Sequence, residues 1–199
     1  LRVGMKSGMG FAEQGSFFFC FGFFVVFFFL SAPLQAQIVT EDLMRRVMPD
    51  ASSFGLKSGE PPVYPAYGTA GDAADPELIG YIFATRDFQP EEIGYSAPIE
   101  VLAGINLEGT LTGIEILFYR ESYKSIRGDF LNTERFPQQF INKFIGDGFR
   151  VGRDIDGVSR ATISSWAAAR GVRNSARRVA EVYLDADESD DQKLIALNY

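Results

Sequence analysis

The amino-acid sequence predicts an α+β fold: an antiparallel sheet with a long C-terminal amphipathic helix and short helices packed on it. Three observations lead there. The runs "SAPIEVLAGIN" and "TLTGIEILFYRES" are joined only by "LEG" and read as a hairpin, with Ile99, Val101, Ala103 and Ile105 alternating against polar or small residues, and Ile114, Ile116 and Phe118 doing the same. From about Ser164, Ala168, Val172, Ala176, Val179 and Tyr183 fall on one helical face, while Arg170, Arg173, Asn174, Arg177 and Glu181 fall on the other. A hydrophobic content of 46% over 199 residues, with 14% of the residues aromatic, supplies enough apolar surface for a core under such a helix.

Taken in order, the chain opens on an apolar stretch, Phe17 to Leu30, preceded by Arg2 and Lys6 and followed by Pro33 and the small-residue exit "LQA". It is short of the roughly 20 residues of a membrane span and has the order of a secretory signal with cleavage after Ala36. A retained N-terminal anchor is the rival; either puts the domain outside the cytoplasm. Residues 1–36 are therefore set apart as signal or anchor, 37–184 as the domain, and 185–199 as a charged tail carrying "DADESDDQ".

Within the domain, "VTEDLMRRVMPDA" predicts a short helix with Thr40 as N-cap, Glu41 and Asp42 in its first turn, and Pro49 as its stop. "SSFGLKSGEPPVYPAYGTAGDAADP" is rich in Gly, Pro and Ser and reads as a loop or irregular edge. "ELIGYIFATRDF" is strand-like. "FPQQFINKFIG" reads as a short helix with Phe140, Ile141 and Phe144 as its apolar side.

Composition excludes several chemistries. The chain has no histidine, and its one cysteine, Cys20, lies in the apolar stretch. The domain thus lacks a His-based triad, a thiol nucleophile, a disulfide, an iron-sulfur ligand set and the usual zinc ligands. A net charge of −7 and the absence of zinc-finger or RNP patterns argue against nucleic acid as a partner. Any redox chemistry requires an organic cofactor.

The stretch "VGRDIDGVSRATISSWAAARGV" gathers the polar groups of interest just ahead of the long helix. A helix N-terminus offers unpaired N–H groups and partial positive charge to a phosphate, and Arg153 and Arg160 would add charge-assisted bonds. The alternative is a single hydroxyl cap with both arginines solvated. The residues alone leave both open.

"DGVSRAT", Asp156 to Thr162, resembles the D-x-x-[S/T]-G-A-T signature of the FMN-binding domain family, found in nitrous oxide reductase regulators of the NosR/NirI type and in flavin subunits of the Rnf and sodium-pumping NADH:quinone reductase complexes. "GYSAPIEVLAGINLEGTLTGIEILFYRES" is similar to that family's G-Y-x-G-P-I-x-V-x-x-G-[IV]-[DN] hairpin. The resemblance runs from about Glu77 to Tyr183. It departs at Arg160 and Ala97, where glycine is common, and "YRESYKSI" lacks the E-T-P-G-L-G loop of the Rnf-type branch.

The resemblance implies a covalent FMN, phosphoester-linked to Thr162 and derived from FAD by a flavin transferase. It further implies Asp156 as the recognition residue, Ala161 as the residue that keeps the approach open, and Ser159 and Ser164 as caps or phosphate donors. Arg153 and Arg160 would lie by the phosphate, and Glu121 and Ser122 are further candidates for cofactor contact. Among Tyr95, Phe118, Tyr119 and Trp166, any of which could serve the core instead, Tyr95 ranks first against the isoalloxazine because it belongs to the matching hairpin. The implied role is an extracytoplasmic electron relay or redox sensor for a membrane redox protein or complex of a respiratory system, NosR-like and supporting nitrous oxide reductase. A flavin-free extracytoplasmic sensory or binding module is the alternative.

Overall fold

The computed structural model describes residues 39–69, 76–122, 124–132 and 135–184. The signal-like stretch with Cys20 and the charged tail lie outside these. The chain divides between Ala36 and Gln37, and all described residues belong to the second part. Among the described residues, no helix is long and apolar enough to cross a membrane.

The first helix, α1 (Glu41–Val47), is capped as its sequence predicts: Thr40 Oγ1 accepts from the Leu43 N–H at 3.4 Å, and Glu41 and Asp42 sit in the first turn. Five strands follow, each antiparallel to the next and in chain order: β1 (Ser53–Phe54), β2 (Tyr64–Thr69), β3 (Pro76–Ala84), β4 (Glu100–Asn106) and β5 (Leu111–Phe118). Thus the Gly/Pro/Ser-rich stretch forms one edge of the sheet and holds β1 and β2. The β4–β5 turn is built by Asn106, whose Oδ1 accepts from the N–H groups of Glu108 at 3.1 Å and Thr110 at 2.8 Å, and by Gly109 at φ 76°.

The long helix, α4 (Thr162–Tyr183), lays Ala168, Val172, Ala176 and Val179, all buried, onto one face of the sheet against Phe83, Val101, Ala103 and Ile105. Alternation on β4 is weaker than expected, because Leu102 and Gly104 on its second face are buried as well. That face is covered by the end of α1, where Val47 and the following Met48 pack with Ile82, Ala84, Leu102 and Leu117. Paired Gly104 and Gly113 admit the end of α1: a Cβ on Gly104 would lie 2.6 Å from Val47 O, and one on Gly113 would lie 3.1 Å from Val47 Cα.

Between β5 and α4 run two single-turn helices, α2 (Lys124–Arg127) and α3 (Arg135–Gln138). The helix expected over 136–146 is cut short. Asn142 turns into the left-handed region at φ 64°, and the backbone then pairs with the hairpin, Leu111 N–H donating to Lys143 O at 2.8 Å and Asn142 N–H to Leu111 O at 2.9 Å. Phe136 and Phe140 are buried as a consequence, whereas Ile141 and Phe144 stay exposed, contrary to the predicted apolar side.

Candidate functional site

Three segments converge on the first turn of α4. The first is the turn just before it. Ala161 occupies the N-cap position and is buried, and Arg160 stands in the left-handed region at φ 66°. Ser165, inside the helix, ties this turn down: its Oγ accepts from Val158 N–H at 3.0 Å and donates to Ala161 O at 2.9 Å. Asp156 is fixed through its backbone, donating to Gln139 Oε1 at 2.6 Å and accepting from Gln139 Nε2 at 3.1 Å, which leaves its carboxylate on an exposed residue.

The other two segments come from the sheet. Ser164 is fully buried, accepts from Tyr95 N–H at 3.2 Å, and donates to the Glu121 carboxylate. The loop before β4 and the loop after β5 are thereby pinned to the helix start, and Ser96 Oγ joins them to each other by donating to Arg120 O at 3.2 Å. Gly94 is needed for this approach, since a Cβ there would come within 2.8 Å of Ser164 Oγ. The expected capping role of Ser164 is corrected accordingly: it is a buried bridge, and the N-cap residue itself contributes no side-chain bond. A serine facing a buried surface must find partners there, and that requirement is the signal by which Ser164 and Ser165 could have been assigned.

Thr162 is exposed and is the first residue of a helix of 22 residues. The first N–H groups of any α-helix lack intrahelical acceptors, and alanine at the N-cap supplies no oxygen for them. This helix start therefore suits an external anion held at Thr162. Tyr95, whose N–H reaches Ser164, is 58% exposed, and Glu121 is buried against Ser164. Tyr119 is a core residue: its hydroxyl accepts from Leu131 N–H, and burial in the first place pushes its pKa upward.

The remaining candidates lie elsewhere around the helix start. Ser159 and Arg160 are exposed in the turn before Ala161. Arg153 faces another flank, where it lines a cavity of about 350 Å³ with Phe149, Arg150, Val151, Trp166, Arg170 and Arg173. Helical spacing puts Thr162, Trp166, Arg170 and Arg173 along one side of α4, away from Ser164. Hence the structure splits the polar cluster of the sequence into a Tyr95–Ser164–Glu121 flank and an arginine flank, with Thr162 at their common end. Among the described residues, no group of His, Cys, Asp or Glu is arranged to hold a metal ion.

The fold is α+β, an antiparallel sheet backed by a long helix, with two sheet loops pinned through Ser164 to the helix start that carries the exposed Thr162. Residues 94–177 match the model of the FMN-binding domain family. The matched segment begins at Gly94 and includes Tyr95, Glu121, the whole of "DGVSRAT" and most of α4. It supports flavin binding, with FMN as the cofactor, and points to a role in electron transfer. No curated protein matches the chain.

Proposed function

We propose that this chain is a covalent flavoprotein domain, carrying FMN on Thr162 and relaying electrons or sensing redox state for a membrane respiratory system outside the cytoplasm. The observation that carries the proposal is the placement of Thr162: it ends the motif, lies within the matched segment, is exposed, and starts a helix with no side-chain cap at its N-cap position. A threonine hydroxyl is a poor nucleophile, so attachment calls for a separate flavin transferase that activates it and presents FAD. Thr162 Oγ1 then gains the bond to the FMN phosphorus, the pyrophosphate bond of FAD breaks, and AMP leaves.

In the loaded protein, the N–H groups of the first turn of α4 would hold the phosphate, and Arg160 would add a permanent cation at the turn before it. Tyr95, exposed on the loop pinned by Ser164, would cover the isoalloxazine. FMN supplies the electron-carrying chemistry; the protein tethers it and sets its surroundings. A tethered cofactor is not lost by diffusion, which suits the extracytoplasmic compartment proposed from the N-terminal stretch. The NosR-like branch, a membrane redox partner and support of nitrous oxide reductase complete the proposal on the strength of "VGRDIDGVSRATISS".

Co-expression with a flavin transferase tests it. Exported protein should gain the mass of an FMN phosphoester and stay yellow after denaturation, and Thr162→Ala should lose both signals while keeping its far-UV spectrum. Denaturation-resistant flavin on the alanine variant would place the attachment elsewhere. A parent protein that never gains the mass would favour the flavin-free sensory module.

A further inference from the structure

The cavity on the arginine flank of α4 takes no part in the flavin proposal. Its wall is apolar: Phe149 and Val151 are buried beneath it, and the indole of Trp166 stands 44% exposed at its side. At its edge are Arg150, Arg153, Arg170 and Arg173. Of these, Arg170 is already committed, with its guanidinium 2.9 Å from Glu92. Among the described residues, no carboxylate lies within salt-bridge distance of the Arg150 or Arg153 guanidinium groups, and Arg173 Nε donates only to Asn174 Oδ1, at 3.2 Å. Asp154, the nearest acid in sequence, shares a neighbouring cavity with Arg150 and Arg153, but its carboxylate is hydrogen-bonded to Lys143 and to the backbone N–H groups of Phe149 and Arg150.

This concentration of cation runs against the −7 charge of the whole chain. A volume of about 350 Å³ matches a small molecule rather than the flat face of a protein. A neutral apolar molecule would leave the guanidinium forks unused, and a small hydrophilic anion would leave the apolar wall uncovered. A ligand with a flat apolar body and one anionic end satisfies both. We propose that this cavity binds a planar conjugated monoanion of the aromatic-carboxylate class, its ring against Trp166 and its carboxylate on Arg150 and Arg153.

The inference is independent of flavin attachment and is tested on the full chain without flavin. Trp166 is the only tryptophan in the sequence, so intrinsic tryptophan fluorescence reports from the cavity itself. Titration with trans-cinnamate should change that fluorescence saturably at millimolar concentrations or below, whereas cinnamamide, its neutral match, should not. The double variant Arg150→Ala/Arg153→Ala should weaken cinnamate binding by about tenfold or more, with an unchanged melting temperature. Equal binding of cinnamamide, no saturable change with cinnamate, or indifference to the double substitution would overturn the proposal. So would polyglutamate acting in place of cinnamate, which would make the arginines a protein-docking surface. Loss of cinnamate binding on flavinylated protein would assign the cavity to the flavin and likewise overturn a separate site.

Discussion

Arg160 concentrates the question of how far this chain departs from the motif it resembles. Its backbone is left-handed, at φ 66°, the region that glycine enters freely and side-chain-bearing residues enter at a cost of about 1 kcal/mol. The turn therefore keeps the shape a glycine would give it, although the residue has changed. Arg160→Gly relieves that strain but adds unfolded-state entropy of about 0.5–1 kcal/mol, so chemical denaturation should find stability nearly unchanged, with flavinylation persisting. Arg160→Val, β-branched at the same φ, should cost about 1–2 kcal/mol more and slow flavinylation. If the glycine variant were impaired as much as the valine one, the guanidinium and not the backbone would be what matters. The substitution itself is legible in the sequence; the retained backbone shape is not. Nor are the partners of Ser164, which come from 43 and 69 residues away and meet only because the sheet loops fold onto the helix start.

At the scale of elements, local periodicity predicts what local forces decide. Helix α4, capped α1 and the β4–β5 hairpin are all visible as repeating apolar positions. The failures have long-range causes: backbone pairing with Leu111 draws 142–145 out of the expected helix, and β2 hides in a proline-rich stretch because Pro65, which has no N–H to give the ladder, lies just past the Ala66 and Tyr67 pairs with β1 and only accepts there, from Gly55 N–H at 2.8 Å. The loop leading to the site also depends on a group that periodicity ignores. Burial, the largest influence on Asp154, pushes its carboxyl up. The N–H groups of Arg150 and Phe149 and the Lys143 ammonium outweigh burial and hold its pKa below the ordinary 3.8. A depressed folded value means that ionised Asp154 stabilises the fold above the unfolded pKa, and that this contribution is lost as pH falls through the folded one. Asp154→Asn should therefore be less stable than the parent at neutral pH, with the gap closing as denaturation is repeated down to about pH 3. A gap of constant size across that range would show that the asparagine is losing shape or packing, not charge.

For the whole molecule, the segment that matches the family is smaller than the body that must fold around it. Residues 94–177 contain Tyr95, Glu121 and Thr162, so every motif residue is present in that segment. Outside it lie β3, which pairs with β4 from Gly80 to Ala84, and α1, whose Val47 packs with the following Met48 on the second face of the sheet. Also outside it are Val179 and Ala180 on the buried side of α4, and Tyr183, whose hydroxyl donates to Pro61 O at 2.6 Å and whose ring packs 5.0 Å from Tyr81. A fragment of 94–177 would expose the β4 edge and the apolar face under α1, both of which favour association over folding. The contacts that position Ser164 against Glu121 and Tyr95 depend on that sheet being in place. We expect residues 37–184 to unfold in one cooperative denaturant transition and to accept flavin. The 94–177 fragment should bind a hydrophobic dye, unfold without cooperativity and fail to be flavinylated, despite carrying the complete motif. Cooperative unfolding and full flavinylation of the shorter fragment would mean that the transferase needs only the loop and helix start, and that the sheet's outer strands and α1 serve stability alone.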